Sequence, residues 1–283
     1  MLTLSDKICL VTGANSGIGY AAALHFAGLG AQVIMICRNE VKGSEAVRRI
    51  EKATGHAPEL LLADLSSVHQ TTRVADEIVQ RYDQLDILFN NAGGYFPHRR
   101  ESVEGVEFNF ALNHLGYFTL TLGLLPLLEK TSGSRVVNVA SRAHRMARLD
   151  FSDLEWHRRR YIPFVAYGTS KLMNILFTRM LAERIGAAGP TVNCYHPGVV
   201  RTGFGQDFGG LFNLGTRLGG LFFLSPAQGA DTGIYLATSS EVAVVSGQYF
   251  SKRKVTSPRP AGRSDENARR LWALSEEYLA RLA

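Results

Sequence analysis

Residues Thr12–Gly19 read TGANSGIG, directly behind the short apolar run Lys7–Val11 and at the head of a helix-length segment. The glycines Gly13, Gly17 and Gly19 follow the order G-x-x-x-G-x-G rather than the dinucleotide fingerprint G-x-G-x-x-G. Both patterns answer the same demands. Glycine permits a tight turn, lets backbone approach a pyrophosphate and packs a helix closely onto its strand, while the helix's free amides favour anionic charge. A plain tight turn would also use glycines, but a strand before and a helix after favour nucleotide binding. On this reading Gly13, Asn15, Ser16, Gly17, Ile18 and Gly19 make up a phosphate-binding turn.

The pattern around that turn repeats along the chain. Lys7–Val11, Gln32–Cys37, Glu59–Ala63, Leu85–Phe89, Arg135–Ala140 and Thr191–Tyr195 are short and apolar, and Gly247–Ser251 would add a last strand. Helical periodicity fills the intervals, as in Leu172, Ile175, Leu176, Met180 and Ile185 ahead of Gly186. Such alternation implies right-handed βαβ units, a parallel sheet and helices on both faces. Ser264 is placed to cap a C-terminal helix with Asp265 and Glu266 in its first turn. No linker divides residues 1–283, so a single domain is expected.

Composition narrows the class. The 283 residues are 46% hydrophobic and 20% charged, ample for a large core. Met1–Leu10 lacks the basic and apolar regions of a signal peptide, and no run reaches the roughly 18 apolar residues of a spanning helix. The nearest, Gly209–Leu224, is interrupted by Asn213, Thr216 and Arg217. Cys9, Cys37 and Cys194 have neither pairing nor metal-ligand spacing, which suits reduced core thiols and a cytoplasmic setting. His114, His144 and His196 also lack metal-ligand spacing, and no metal is expected. The net charge of +6 gathers at His157–Arg160 and Lys252–Lys254 without the interleaved aromatics of a nucleic-acid surface. A phosphate-bearing cofactor, or peripheral contact with an anionic membrane, accounts for the excess.

The second strand ends Ile36-Cys37-Arg38-Asn39. A site for NAD usually places a carboxylate here for the ribose hydroxyls; this chain has none before Glu40. Arg38 can pair a 2′-phosphate through charge-assisted hydrogen bonds, which favours NADP(H) over a plain surface arginine. Further on, Ala166–Lys171 reads AYGTSK, with Tyr167 and Lys171 one helical turn apart on the same face.

TGANSGIG, Asp64-Leu65, Asn90-Asn91-Ala92-Gly93, Asn113, Ser141, Tyr167-x-x-x-Lys171 and Pro197-Gly198 occur in the order of the short-chain dehydrogenases/reductases, which the whole chain resembles. ICRN after the second strand, NHLGYF at Asn113–Phe118, LDFSDLEW at Leu149–Trp156 and the ending ARRLWALSEEY look like the retinol dehydrogenase branch. The resemblance implies a single-domain α/β fold, a Rossmann-type doubly wound parallel β-sheet flanked by helices. It also implies that Asp64, with Leu65 beside it, meets the adenine, and that Asn90, Ala92 and Gly93 line the cofactor cleft. Pro197, Gly198 and Val200 would wall the nicotinamide, and Thr202 would bind its carboxamide. One departure is the 26-residue interval from Ser141 to Tyr167, about twice that of many relatives; the excess lies in basic Arg142–Phe164. Family members often pair through helices beginning near Val106 and Ala166; the resemblance leaves a homodimer open, since that insertion can cover one such face.

The chemistry implied is hydride transfer to or from a carbonyl carbon, with proton delivery at oxygen. Tyrosine, whose reference pKa is about 10, needs its acidity raised; the Lys171 cation and an oxidised nicotinamide would both favour phenolate. By resemblance Lys171 also reaches the nicotinamide ribose, Ser141 polarises the substrate oxygen, and Asn113 holds a water linking Lys171 to solvent. The polar stripe continues on the helix through Asn174 and Thr178. Phe204–Leu224, rich in Phe, Leu and Gly, is expected to form a mobile apolar lid near 203–224 over a lipophilic carbonyl or alcohol substrate. Sterols, quinones and xenobiotic ketones are the alternative substrates, and a non-catalytic NADP sensor the alternative class; a complete Asn113, Ser141, Tyr167 and Lys171 set favours an enzyme.

Overall fold

The structure, a computed structural model, describes residues 3–200 and 223–282. Six parallel strands form its centre: β1 (Ile8–Thr12), β2 (Gln32–Cys37), β3 (Glu59–Leu62), β4 (Ile87–Asn90), β5 (Arg135–Val139) and β6 (Thr191–His196). β7 (Tyr249–Ser251) pairs parallel to β6, and β8 (Lys254–Val255) closes the edge antiparallel, giving the order β3-β2-β1-β4-β5-β6-β7-β8. All five residues of β1 and all four of β4 are buried, because helices cover both faces of the sheet. The doubly wound α/β architecture is the one anticipated, with strand limits displaced by a residue or two.

The helices are α1 (Gly17–Gly28), α2 (Glu40–Thr54), α3 (Val68–Arg81), α4 (Phe108–Lys130), α5 (Pro163–Ile185), α6 (Pro226–Thr238) and α7 (Asp265–Leu282). Two apolar layers result. Phe26, Met35, Phe89 and Leu236 belong to the layer under α1, α2 and α6; Leu88, Leu124, Leu176 and Trp272 belong to the layer under α3, α4, α5 and α7. Strand order reverses between β1 and β4, which opens a crevice at the carboxyl ends of the strands.

Helix α4 is long and apolar enough to cross a membrane by length and composition, yet 72% of its apolar window is buried within the fold, so it serves as a core helix. Its second turn, Ala111–Leu115, is a π-helix carrying Asn113. In α5, sixteen of 23 residues are buried because the helix is packed between the sheet and α7. It ends at Gly186, with φ of 65°, as its sequence predicts. Ser264 Oγ accepts the Asn267 amide at 3.1 Å and so caps α7, whose Trp272 meets the rings of Phe118 and Phe177.

The β7–β8 hairpin is an addition to the sequence reading. Lys252 and Arg253 turn it with φ of 52° and 59°, without the Asn-Gly signal such turns usually show. Tertiary bonds compensate: the Arg253 amide donates to Thr232 Oγ1 at 3.1 Å, and its guanidinium pairs with Asp231.

Candidate active site

The turn after β1 is built around close backbone approach. Gly13 has φ of 64°, and a Cβ there would fall 2.9 Å from Ala92 Cα. At Gly19 a Cβ would lie 2.5 Å from Asn91 Nδ2 and 2.6 Å from Gly13 O, so only hydrogen fits. Asn91 locks this geometry: its Nδ2 donates to Thr12 O at 2.9 Å and Gly13 O at 3.3 Å. Thr12 Oγ1 in turn accepts the amides of Asn91 and Ala92, both at 2.9 Å. Ser16 caps α1 without a side-chain hydrogen bond, and no acidic residue occupies the first turn. That leaves the helix's positive end with no carboxylate of its own, a fit to phosphate charge. Ile18 and Val200 both crowd Gly229 of α6, where a Cβ would fall 3.2 Å and 2.5 Å from them.

Arg38 stands exposed just after β2, with its guanidinium 3.5 Å from Asp64 Oδ2. Asp64 Oδ1 accepts the amide of Ser66 at 3.0 Å and its hydroxyl at 2.7 Å, which fixes the carboxylate at the sheet edge. Leu65 is buried in the core, and its carbonyl meets Gly116, so its side chain faces away from the crevice. Pro197 and Gly198 follow β6, and Val200 pairs with Leu224 across an isolated parallel bridge. Thr202, and the expected lid apart from Phe223 and Leu224, lie outside the described residues.

Tyr167, Lys171 and Ser141 converge at the carboxyl end of β5. The Ser141 side chain lies near Tyr167, close enough to favour its ionised form. Lys171 Nζ donates to Val139 O at 2.9 Å and lies 5.9 Å from the Tyr167 ring centre. A Cβ on Gly93 would stand 3.5 Å from Nζ, so the turn after β4 abuts the lysine. Ser141 is anchored from behind by His144, whose Nδ1–H donates to Ser141 O at 2.7 Å while Nε2 accepts the Arg259 amide at 3.3 Å. Those two partners require the neutral ring with its proton on Nδ1.

One expected role changes. Asn90 is fully buried, and its amide donates to Thr121 Oγ1 and Asn138 Oδ1, both at 2.9 Å. It therefore ties β4 to α4 and β5 and does not line the crevice. Asn113 Oδ1 accepts the Gly94 amide at 2.9 Å, while Nδ2 donates to Gly94 O and Ser170 Oγ, both at 3.0 Å. This side chain staples the turn after β4 to the helix that carries Tyr167 and Lys171. Thr12, Asn91 and Ser170 are the supporting residues missed from sequence; Asn91 sat in view beside Asn90, but which partner each amide takes depends on the folded register.

Burial dominates the electrostatics of this pair. Burial pushes Tyr167 well above its ordinary range, the nearby Ser141 side chain opposing this. Burial lowers Lys171 to about 7. Desolvation governs both groups, the lysine being withdrawn from water against Val139 O.

Comparison with known proteins agrees with this geometry. The family model described as short chain dehydrogenase matches residues 7–209. Retinol dehydrogenase 13 of Homo sapiens is 40% identical over 279 residues, which cover 96% of this chain and 84% of that protein. Retinol dehydrogenase 14 of Mus musculus is 39% identical, covering 96% and 86%. An uncharacterized protein from Mycobacterium Paratuberculosis, 32% identical, superposes with a TM-score of 0.81 over 99% of this chain and 96% of its own. A short chain dehydrogenase from Shigella flexneri complexed with NADP, 27% identical, gives 0.68 over 88% and 98%.

Proposed function

The chain belongs to the short chain dehydrogenases, oxidoreductases that use a nicotinamide cofactor, and from that premise we propose an NADP(H)-dependent dehydrogenase/reductase of lipophilic carbonyls and alcohols with Tyr167 as general acid and base. The carrying observation is the convergence of Ser141, Tyr167 and Lys171 at the carboxyl end of β5, with Lys171 Nζ 5.9 Å from the Tyr167 ring centre and against the turn after β4. When bound, NADP(H) supplies or accepts the hydride. The amides opening α1 and the turn Gly13–Gly19 would hold its pyrophosphate, and Arg38 its 2′-phosphate. The NADP complex of the Shigella flexneri relative supports that choice of cofactor.

Within this site Ser141 donates a hydrogen bond to the substrate oxygen and orients it toward Tyr167. In reduction Tyr167 gives its proton to that oxygen as negative charge develops there; in oxidation it takes the proton back. Lys171, held one turn away, stabilises the phenolate that reduction leaves. Asn113 keeps the turn after β4 and helix α5 in register so that these distances persist.

A lipophilic substrate is supported by the apolar sequence Phe204–Leu224 and by relatives named retinol dehydrogenases. The test is kcat/KM with NADPH and with NADH for retinal, straight aldehydes from butanal to decanal, steroid ketones and quinones. Retinal should be accepted, and kcat/KM should rise several-fold per added pair of carbons, since each buried methylene contributes up to ~0.8 kcal/mol. A flat chain-length profile, or preference for small polar carbonyls, would overturn the lipophilic reading.

A further inference from the structure

Helix α5 carries Tyr167 and Lys171 in its first half, and about 12 Å further along its axis it reaches Arg179. There the helix, the β7–β8 edge of the sheet and the loop leading into α7 surround a cavity of about 400 Å³, the size of a small-ligand site. Ile175, Arg179, Tyr249, Val255, Ser257 and Arg263 line it. Its border also includes the two residues that precede β7, so it lies toward the amino end of that strand and away from the crevice at the carboxyl ends.

Tyr249 is only 5% exposed, yet its hydroxyl makes no hydrogen bond among the described residues, where a buried phenol ordinarily finds a partner. Burial pushes its pKa up, so the hydroxyl stays protonated and able to donate. The ring is fixed among Ala140, Ile175 and Cys194 and by the edge-on His144 ring at 5.1 Å. Arg179 donates to Asp265 Oδ1 at 2.5 Å and to Gly262 O at 3.1 Å, which leaves three of its five N–H groups for another acceptor. Arg263 is exposed and forms no ion pair or hydrogen bond among the described residues. No acidic residue lines the cavity, and Arg142 and Arg145 add positive potential at Tyr249. The wall is therefore all donors and net positive charge, with apolar surface from Ile175 and the 58% exposed Val255 beside it.

We propose that this cavity is a second binding site, one that takes a small oxyanion with an apolar body: the carboxylate or phosphate group on Arg179 and Arg263 with the Tyr249 hydroxyl as a further donor, and the apolar part against Ile175 and Val255. Guanidinium groups recognise such oxyanions through paired, charge-assisted hydrogen bonds. A cation is repelled by the same two groups, and a neutral ligand forgoes their charge. The site stands apart from the cofactor crevice and does not depend on hydride transfer.

The test is calorimetric titration of the full chain with benzoate, phenyl phosphate and the neutral benzamide, with and without saturating NADPH. At least one anion should bind, roughly tenfold or more tighter than benzamide, and the stronger of the two identifies the head group. Arg263→Gln and Tyr249→Phe should each weaken that anion by about threefold or more while leaving Tm and the NADPH Kd as in wild type. The anion should bind equally well to the NADPH-saturated protein, which separates this cavity from the phosphate-binding turn after β1. Binding of neither anion, benzamide binding as tightly, or an affinity unchanged in either variant overturns the site. Displacement of the anion by NADPH places it in the crevice and overturns the site as well.

Discussion

Replacing Gly19 by alanine adds one methyl group where the structure has no room for it. The new carbon would lie 2.5 Å from Asn91 Nδ2 and 2.6 Å from Gly13 O, against ordinary contacts of about 3.5 Å. Relief requires the turn after β1 and Asn91 to separate by roughly 1 Å, since one of the two clashing atoms is backbone. The displacement breaks the Asn91 bonds to Thr12 O and Gly13 O, leaving a partly buried amide unpaired at ~1–3 kcal/mol. Residual overpacking adds a comparable cost, for a total of about 2–6 kcal/mol, or roughly 3–10 °C in Tm for a domain of this size. The pyrophosphate-binding amides move with the turn, so the NADPH Kd should rise at least tenfold. Gly28→Ala is the matched control in the same helix: its added carbon meets only Thr54 Cγ2 at 3.8 Å, and stability should hold or improve by up to ~1 kcal/mol. Thermal melts and fluorescence titration with NADPH decide the matter. If Gly19→Ala matches Gly28→Ala in both, the close approach has no bearing on cofactor binding.

Arg38→Asp should shift the kcat/KM preference from NADPH toward NADH by at least tenfold, because it removes a charged hydrogen bond of ~1.5–3 kcal/mol and sets a second carboxylate beside Asp64; an unchanged ratio would remove Arg38 from the phosphate site. Asn113→Ala unties Gly94 and Ser170, so kcat should fall at least tenfold while NADPH Kd changes by less than about threefold; equal loss in both would mean a general loosening of the fold. His114 is buried, with Nε2 bonded to Ser275 Oγ, and burial lowers it to about 3. Unfolded histidine takes a proton near pH 6.5 while the folded one does not, so this contribution is intact above pH 6.5 and is lost at up to ~1.4 kcal/mol per unit as pH falls toward 3. His196, lowered to about 4 by burial, adds to the same slope. His114→Leu should therefore lose less Tm than wild type between pH 7 and 5, and parallel curves would refute this.

Sequence legibility followed range. Strand–helix alternation and the glycines of the first turn are local signals, and the sheet they imply is the sheet observed, β1 to β7 in parallel. The spacing of Tyr167 and Lys171 is likewise local to one helix. What stayed hidden depends on contacts far apart in the chain. Asn90 and Asn91 are neighbours in sequence, yet strand alternation sends one into the interior and the other to the phosphate-binding turn. The β7–β8 turn has no glycine or asparagine because Thr232 and Asp231, some twenty residues earlier, hold Arg253 in place. Likewise Tyr95 and Phe164 meet only because Asn113 and Tyr161 fix the segment after β4. The burial of Tyr167 and Lys171 was likewise hidden, because a helical pair shows its spacing in sequence but not what packs over it.

The most direct measurement is steady-state reduction of decanal or retinal by NADPH with Tyr167→Phe beside wild type, together with the NADPH Kd of each. The variant keeps the ring against Tyr95 and Phe164 and removes only the hydroxyl near Ser141. Turnover should fall by ~10²-fold or more with NADPH affinity retained. Near-normal kcat in Tyr167→Phe would contradict the account, whatever family the chain belongs to.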